Sequence, residues 1–481
     1  MVFASKNIFL WLFFWCMGSS AIVGQPLKNE LESGAPFIQN YGPNDYQAHV
    51  QNWASIQDRR GIMYFANVAG VLEYDGVSWE IIRTKNSTHV RSLDVDNQGR
   101  IYVGAFGEIG YIDYDSLGRS YFSSLNQYLD TAFHDILDVW KTFCMDDGIY
   151  FSSYEYLLRW SPPQGNAAEG SFKVWKPSSL FQFAYSIGER LFIQERGKGL
   201  LELVNDSLQL IAGGDKFKDS WVFAMMEQQD GNILIVDRTH GLCNYDGKEV
   251  REINAPAHKQ IIDSKVFHGI ALPDGTFALA TNLNGILIIN REGYLLRTID
   301  VSNGLQNQSA TSLYLDRQDG LWVTLSNGID RVELNSPITL FNAALGESNS
   351  VHSIIRHRGK IHFATGAGVF VLEEQQALRK IEGITTQCWD FVSIDQTLLV
   401  ATTHGLFSID NKASLIDDGV FRSLHQSKKN PTQIFVGKQG NLGTYSLTTG
   451  KIKERLIQTE IKDWIFFIDE DPFGYLWCST P

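Results

Sequence analysis

A short phrase recurs about once every forty residues along this chain, and its clearest copies begin at Asp96, Asp230, Asp274 and Asp319. Each copy has an Asp or Asn turn closed by Gly, an apolar pair and a small residue, and a second Gly then opens another apolar strand. Successive anchor glycines are 38 to 49 residues apart, which is the period of a four-stranded β-propeller blade. The first eight anchors are Gly61, Gly99, Gly148, Gly188, Gly231, Gly275, Gly320 and Gly359. We therefore predict an all-β fold: a seven-bladed β-propeller of four-stranded blades followed by a second, incomplete propeller.

The chemistry of the phrase explains why it suits a turn between two strands. The short side chain of Asp or Asn can accept a hydrogen bond from the backbone two residues on, and Gly supplies the positive φ that the turn needs. The residues that follow, such as 101–103 and 321–323, are β-branched or aromatic and suit a pleated, half-buried surface. Trp322 and Trp477 share one phase of the repeat and are predicted to pack between neighbouring blades.

The repeats divide the chain into two sets. Counting anchors places the first propeller at residues 37–340 and about four further blades at residues 341–481, with a Leu-Asn-Ser-Pro segment at 334–337 between them. The final residues fall inside a predicted second strand, whose hydrogen-bonding edge would be left unpaired. We expect the sequence to be the N-terminal part of a longer polypeptide.

Residues 1–24 are predicted to be a secretory signal peptide. Lys6 supplies the positive end, residues 8–17 form an apolar run, and residues 18–21 are small. The run is short for a membrane span, and a retained N-terminal anchor is the alternative interpretation. No later segment reaches the roughly eighteen apolar residues that a membrane helix requires. The rest of the chain is therefore predicted to be soluble and exported.

An apolar run also precedes each anchor glycine and should form the first strand of its blade, which lines the central channel of a propeller. Polar and aromatic residues on or beside these runs are candidate ligand contacts, because an aromatic face can stack on a sugar ring or another flat apolar surface. The alternative for each residue is packing in the core or channel. The predicted ligand-binding residues are Trp53, Arg91, Trp140, Lys141, Trp221, His268, Asn307, His352 and Trp389.

Composition and spacing disfavour several other kinds of site. The net charge is −13 and no basic run exceeds two residues, so nucleic-acid binding and adhesion to anionic membranes are not expected. No metal site is predicted, because the histidines lack zinc-binding spacing and the acidic turns lack the ligands of a calcium loop. No cofactor is predicted either, since no helix follows the glycine-rich segment 104–110 to receive a phosphate. No catalytic residue is predicted, because no nucleophile elbow is present.

The cysteines that follow the predicted signal peptide fall in different repeats. They are Cys144, Cys243, Cys388 and Cys478, and no two of them have the spacing of a metal-binding pair. We interpret them as small, buried strand residues, with disulfides or metal ligation as the alternative.

Two groups of segments resemble a known family. Residues 70–79 (Gly-Val-Leu-Glu-Tyr-Asp-Gly-Val-Ser-Trp), 90–93, 99–104 and 106–111 resemble the opening of the two-component regulator propeller proteins of Bacteroidetes-type bacteria. Residues 320–330, followed by 334–338, are similar to the junction between the two propellers of that family. The likeness runs from about residue 40 to the end of the sequence.

The resemblance implies a periplasmic sensor, at the outer face of the inner membrane, made of two seven-bladed propellers. In that family the propellers lead into a triple-tyrosine domain, a membrane helix and a cytoplasmic output such as a histidine kinase or a helix-turn-helix regulator. It implies that the membrane anchor and the output lie beyond residue 481, that the full-length protein is a homodimer, and that the unknown small ligand is an oligosaccharide. No kinase or DNA-binding activity is assigned to residues 1–481.

Three functions remain open from the sequence. The first is a non-catalytic ligand sensor. The second is a secreted propeller enzyme, either a polysaccharide lyase or a glycosidase, which would need paired carboxylates or a Tyr or His base at the channel mouth. The third is a propeller that serves only to dock other proteins.

Overall fold

The computed structural model describes residues 34–163, 169–340, 350–373, 378–448, 451–457 and 461–481. The predicted signal peptide, residues 1–24, and the start of the second set of blades, residues 341–349, lie outside these ranges. Ten antiparallel sheets of four strands dominate the described residues, and nine of them are built from four consecutive strands. The predicted all-β propeller fold is therefore confirmed.

The first six sheets of the first set are numbered as blades 1 to 6 in chain order. Blade 1 consists of β2 (Asn52–Gln57), β3 (Met63–Asn67), β4 (Gly70–Tyr74) and β5 (Trp79–Ile82). Blade 2 consists of β6 (Val90–Val95), β7 (Ile101–Ala105), β8 (Glu108–Tyr114) and β9 (Ser120–Ser124). Blade 3 consists of β10 (Lys141–Met145), β11 (Gly148–Ser152), β12 (Leu157–Ser161) and β13 (Ser171–Trp175).

Blade 4 consists of β14 (Phe181–Ile187), β15 (Arg190–Glu195), β16 (Gly199–Val204) and β17 (Ser207–Leu210). Blade 5 consists of β18 (Val222–Glu227), β19 (Ile233–Asp237), β20 (Gly241–Tyr245) and β21 (Val250–Glu252). Blade 6 consists of β22 (Val266–Ala271), β23 (Phe277–Thr281), β24 (Ile286–Ile289) and β25 (Leu295–Ile299).

The seventh blade joins the two ends of the first set. Its sheet has the order β1 (Phe37–Tyr41), β28 (Ile329–Glu333), β27 (Gly320–Leu325) and β26 (Ala310–Leu315), so the most N-terminal strand supplies its outer edge. The first strands of successive blades contact one another in the order β2, β6, β10, β14, β18, β22 and β26, and β26 contacts β2 again. Seven blades therefore form a closed ring with these inner strands around its axis.

The second strands carry the core of the ring. Every residue of β3, β7, β11, β19, β23 and β27 is buried. A strand that is covered by a neighbouring blade on each face needs apolar residues in continuous runs rather than in alternation, and the repeated phrase has that pattern. Trp322, in β27, is 3% exposed, as the repeat predicted.

The second set begins with three more four-stranded sheets and ends with a hairpin. Blade 8 consists of β29 (Val351–His357), β30 (Lys360–Thr365), β31 (Gly368–Leu372) and β32 (Leu378–Lys380). Blade 9 consists of β33 (Cys388–Ile394), β34 (Thr397–Thr402), β35 (Gly405–Ile409) and β36 (Ala413–Asp417). Blade 10 consists of β37 (Phe421–Gln426), β38 (Gln433–Lys438), β39 (Asn441–Thr448) and β40 (Lys451–Ile457). The hairpin consists of β41 (Phe467–Glu470) and β42 (Leu476–Ser479).

Trp477, in β42, does not pack between blades. It is 66% exposed, and its indole Nε1 donates to Asp471 at 3.2 Å. The prediction for this residue was wrong because no described sheet covers the face of the hairpin on which it lies.

Helices are few and short. The described residues contain two α-helices, α1 (Pro43–Tyr46) and α2 (His258–Asp263), and 3-10 turns at Asn126–Tyr128, Thr131–Phe133, Gly214–Phe217 and Val301–Asn303. Across the ranges that the structure describes, no helix has the length and apolar character needed to cross a membrane.

The cysteines of the described ranges are free thiols in strands. Cys243 and Cys388 are fully buried, and burial raises the pKa of each thiol to about 12. Cys144 and Cys478 are partly buried.

The turn that opens each second strand has the geometry that its residues dictate. In blade 2, Asp96 Oδ1 accepts hydrogen bonds from the backbone N–H of Gln98 at 2.8 Å and of Arg100 at 2.9 Å. Gly99, at the fourth position of this turn, has a φ of +89°. The side chain of Asp96 therefore fixes the turn, and Gly99 adopts the left-handed backbone that an L side chain disfavours.

In blade 7 the same turn starts at Asp316, three residues before the Asp that the sequence phrase suggested. Asp316 Oδ1 accepts from the backbone N–H of Gln318 and Gly320, each at 2.8 Å, and the left-handed residue is Asp319, with a φ of +62°. Gly320 is needed for space, because a Cβ there would collide with the guanidinium of Arg331. The absent side chain lets Arg331 Nε reach Asp316 Oδ2 at 2.9 Å.

Replacing Gly99 by Ala should lower the free energy of unfolding by about 1–2 kcal/mol, since the added Cβ has open space but a strained backbone. The measurement is the midpoint of urea unfolding. Gly42→Ala is the control: Gly42 has a φ of −88° and its Cβ would make only ordinary contacts, so the expected change is within about 0.5 kcal/mol. Equal effects of the two substitutions would contradict the assignment of strain to Gly99.

Candidate functional site

A β-bulge near the start of the inner strands determines which side chains enter the channel. In nine of the ten inner strands of the four-stranded sheets, pairing with the second strand skips one residue, or two in β14. A bulge leaves a residue unpaired and re-aims its side chain, and bulges are common beside binding sites. The skipped positions in the ring are Trp53, Arg91, Gln182 with Phe183, Phe223, Phe267 and Thr311.

The inner strand of blade 3 has no bulge, yet it presents an equivalent residue. Trp140 directly precedes β10 and follows Val139, as Arg91 follows Val90 in blade 2. Val139 and Val90 are both fully buried. Trp140 therefore occupies the corresponding place at the channel mouth.

Aromatic residues from five blades meet at this end of the channel, and we call them the aromatic collar. Phe183 lies at their centre, with ring centroids 6.1 Å from Trp140, 5.9 Å from Phe267 and 6.0 Å from Trp221. Most of these pairs meet edge to face, which is the arrangement favoured by the charge distribution of aromatic rings. The collar consists of Trp53, Trp140, Phe183, Trp221, Phe223 and Phe267.

Arg91 adds a cation to the collar. Its guanidinium carbon lies 4.2 Å from the ring centroid of Trp53 and 4.7 Å from that of Trp140, so the charge is held between two indole faces. Its Nε donates to Asp138 Oδ1 at 2.6 Å, and that oxygen also lies 2.8 Å from His89 Nε2. The ion pair with Asp138 fixes the position of the guanidinium between the two indoles.

Below the collar, a cavity of about 300 Å³ follows the axis of the ring. Its wall includes collar residues and polar side chains of the inner strands, among them Ser55, Asp94 and Lys141. A second cavity, of about 260 Å³, continues toward the far ends of the inner strands. The two cavities share Lys141, Phe143, His268 and Ile270 in their walls.

Several polar atoms of the upper cavity have no partner within the described parts of the protein. The indole Nε1 of Trp53, the indole Nε1 of Trp140 and the hydroxyl of Ser55 are buried and make no hydrogen bond. A buried donor without a partner costs about 1–3 kcal/mol. These atoms are therefore suited to contact a bound molecule.

Lys141 and His268 meet where the two cavities join. His268 Nδ1 accepts from the backbone N–H of Leu313 at 3.2 Å, so this nitrogen carries no proton and the ring links blade 6 to blade 7. Burial and the nearby Lys141 ammonium hold the pKa of His268 well below its ordinary value. Burial lowers the pKa of Lys141 to about 8. Both residues keep some accessible surface only because they line the cavities.

Asp94 lines the same cavity, but both of its oxygens are engaged. Its Oδ2 accepts from the backbone N–H of Cys144 at 2.7 Å and its Oδ1 from that of Val95 at 2.8 Å. Burial raises the pKa of this carboxyl to about 6. Asp94 therefore ties blade 2 to blade 3.

The second set of blades repeats the arrangement at its own inner strands. The bulge residues there are His352, Trp389 and Arg422. The guanidinium carbon of Arg422 lies 3.6 Å from the ring centroid of Trp389 and 5.0 Å from that of Trp464, and the ring of His352 is 4.6 Å from Trp389. Burial lowers the pKa of Arg422. An arginine between two indoles thus occurs in both sets.

The structure brings together most of the residues predicted from the sequence. Trp53, Arg91, Trp140, Lys141 and His268 line the upper cavity. Trp221 lies behind the cavity wall, where it stacks on Phe223 at 6.4 Å. His352 and Trp389 contact each other in the second set.

Asn307 is not brought to the site. Its Oδ1 accepts from the backbone N–H of Ser309 at 2.8 Å, so it shapes the turn before β26.

The residues that sequence reasoning missed are Phe183, Phe223, Phe267, Thr311 and Arg422. Apart from Phe183, which is two residues after Phe181, they could have been found by their position next to the first buried residue of each inner strand.

No group of His, Cys, Asp or Glu residues in the described ranges is arranged to hold a metal ion. The polar groups that converge on the upper cavity are mainly hydrogen-bond donors. The arrangement can therefore bind a small molecule with a flat apolar face and acceptor groups.

Solved structures with a similar fold include extracellular signalling domains. The extracellular domain of a putative hybrid two component system from B. thetaiotaomicron aligns with a TM-score of 0.55 and 18% identity, over 92% of this chain and 70% of that chain. The extracellular domain of a putative one component system from the same organism has a TM-score of 0.47 and 14% identity, over 92% of this chain and 64% of that chain. Virginiamycin B lyase from Staphylococcus aureus has a TM-score of 0.47 and 11% identity, over 62% of this chain and 99% of that chain.

At 18% identity the first of these comparisons shows a shared fold, and it agrees with the family resemblance read from the sequence. The chain spans 64% of the length of the second structure. No protein-family model and no curated protein matches the sequence.

Proposed function

We propose that this chain is the extracytoplasmic, ligand-sensing region of a bacterial transmembrane signalling protein, and that its ligand is an oligosaccharide. The observation that carries the proposal is the aromatic collar at one mouth of a closed ring, with unpaired donors directly below it. The predicted signal peptide and the double set of blades support an exported location. The non-catalytic role, the homodimer and the membrane anchor are part of the same proposal.

The comparison with solved structures supports the receptor class. The protein that aligns with a TM-score of 0.55 is described as the extracellular domain of a putative hybrid two component system. Fold alone does not assign function, and the features that favour a ligand sensor are the collar and the cavity.

The chemistry of a sugar ring matches that of the site. One face of a pyranose presents C–H groups that stack on an indole, and its rim presents hydroxyl oxygens that accept hydrogen bonds. Trp53 and Trp140 offer both an indole face and an unpaired N–H. A cavity of about 300 Å³ lies at the lower end of the range for small-ligand sites, which suits one or two sugar units.

Isothermal titration calorimetry of the purified protein tests the proposal. The panel comprises neutral and acidic oligosaccharides, short peptides and small metabolites. Saturable heat with at least one oligosaccharide is expected. Binding of peptides or metabolites alone would contradict the ligand class, and the absence of heat with every compound would contradict the sensor role.

Replacing Trp53 by Ala should weaken binding of that oligosaccharide at least tenfold, because it removes a stacking face, a donor and the upper support of Arg91. Trp175→Ala is the control: Trp175 stacks on Tyr150 at the outer edge of blade 3, 6.3 Å between centroids, and its loss should change affinity less than twofold. Circular dichroism establishes that both variants are folded. Equal affinities of the two variants would place the ligand elsewhere.

One observation favours an enzyme as the second candidate. Lys141 and Asp94 line one cavity with pKa values of about 8 and about 6, which bracket neutral pH as a general acid and base would. The engaged oxygens of Asp94 argue against this role. Release of unsaturated or hydrolysed products from a polysaccharide by the purified protein would establish the enzyme in place of the sensor.

A further inference from the structure

Lys141 is an unusual residue for the interior of a propeller. It is the first residue of β10, its side chain lines both channel cavities, and it is only partly accessible. Lysine is almost never buried without a partner, because an ammonium loses its hydration there. Within the described ranges, Lys141 Nζ has no hydrogen bond or ion pair, and desolvation is what lowers its pKa.

The carboxylates in and near the two cavities make no ion pair with Lys141, and Glu227, in the wall of the lower cavity, is exposed at the end of β18. Both oxygens of Asp94 accept backbone N–H groups. Asp138 pairs with Arg91 and His89 at the collar. His268, at the same junction of the cavities, is neutral, and its Nδ1 is occupied by a backbone N–H.

The unpaired polar atoms around Lys141 are suited to donate hydrogen bonds. An ammonium and an indole N–H can only donate, and a serine hydroxyl can donate as well as accept. The two indole nitrogens and Ser55 Oγ are buried without a partner, and together with Lys141 Nζ in the cavity wall they form a set that lacks an acceptor. A charged acceptor with several oxygens would complete it, and charge-assisted hydrogen bonds are the strongest that it could form.

We propose that the channel of the first ring binds a single anionic group of a small ligand at Lys141, a carboxylate or a sulfate or phosphate ester, while the rest of the ligand lies against the aromatic collar. This inference deepens the proposed function and rests on it for the biological role of the ligand. The anion site itself follows from the donor set alone.

Matched sugars test the site by calorimetry at pH 7. The probes are glucose, glucuronate, glucose 6-sulfate and glucose 6-phosphate, which differ in the charged group, and inorganic sulfate is the sugar-free anion. At least one anionic sugar should bind the wild-type protein tenfold or more tightly than glucose. In Lys141→Met that preference should vanish, whereas Lys248→Met, which alters an exposed turn of blade 5, should keep it.

A spectroscopic measurement on the wild-type protein covers the case in which Lys141→Met fails to fold. Reductive ¹³C-methylation labels the lysines, and Lys141→Arg identifies the Lys141 resonance by its absence. Addition of inorganic sulfate or the preferred anionic sugar should shift this resonance and raise its titration midpoint, with no shift at Lys248.

Measurable binding of all four sugars with equal affinity, an undiminished anion preference in Lys141→Met, or an unmoved Lys141 resonance would each overturn the anion site. The two proposals fail separately. Neutral oligosaccharides that bind without any anion preference would leave the sensor proposal intact and remove the anion site. Sulfate that binds at Lys141 without any sugar binding would do the reverse.

Discussion

Replacing Tyr41 by Ala should lower the free energy of unfolding of the first ring by about 3–5 kcal/mol, which is the usual cost of truncating a large buried aromatic side chain. Tyr41 is 8% exposed and lies at the end of β1, opposite Ile329 of β28. Its ring stacks on Trp322, with centroids 5.6 Å apart, and meets Tyr74 at 5.4 Å. The substitution therefore removes the contact that fastens the N-terminal strand to both the seventh and the first blade.

Phe37→Ala provides the matched control. Phe37 lies in the same strand, but it is 49% exposed and pairs with Glu333 at the outer end of β28. Its replacement should cost less than about 1 kcal/mol. Thermal and urea unfolding, followed by circular dichroism, give both values. Similar losses for the two variants would show that the ring is not held by the Tyr41 contacts.

The closing strand is the part of the fold that the sequence did not reveal. The blades were predictable because the turn and the apolar second strand recur with a constant spacing, and both are local features. The segment 37–41 carries neither, and its partner β28 is about 290 residues away. Pairing at such a distance depends on the ring having already formed, so no local pattern indicates it.

The candidate site was partly predictable for a similar reason. The inner strands could be recognised as apolar runs, and the Trp and Arg residues within them indicated candidate ligand contacts. Strand alternation cannot locate a bulge, however, because one extra residue reverses the facing of every side chain before it. The sequence pointed to Trp221, whereas Phe223, two residues further on, occupies the bulge of β18.

Lys141→Met should stabilise the first ring by about 2–3 kcal/mol at pH 7. In the folded protein burial holds the pKa of Lys141 at about 8, compared with an ordinary value of about 10.5. Each pKa unit corresponds to about 1.4 kcal/mol, so the protonated lysine opposes folding by about 3 kcal/mol before any relaxation of the channel. Methionine keeps the length of the side chain, has no charge and adapts to irregular space. Most substitutions in a channel wall destabilise, which makes a gain in stability a sharp test.

The effect of Lys141 on the free energy of unfolding should also depend on pH. Because the pKa is lower in the folded state, the unfolded state binds more protons between about pH 8 and about pH 10.5, and the stability contributed by Lys141 rises with pH across that window. The difference in free energy of unfolding between Lys141→Met and the wild-type protein should therefore have its full value below about pH 8 and disappear by about pH 10.5. Tyrosines with raised pKa values titrate in both proteins and cancel in the difference. Lys248→Met should show no such difference at any pH.

Inorganic sulfate connects this stability effect to the proposed anion site. A ligand that binds only the folded state stabilises it in proportion to the logarithm of its concentration above Kd. At pH 7, sulfate should raise the Tm of the wild-type protein and of Lys248→Met and leave the Tm of Lys141→Met unchanged. The difference in Tm between the wild-type protein and Lys141→Met should therefore become smaller. A Tm difference that does not change with sulfate would mean that the Lys141 ammonium does not bind an anion. A wild-type protein more stable than Lys141→Met at pH 7 would mean that the lysine already has its charge compensated inside the channel.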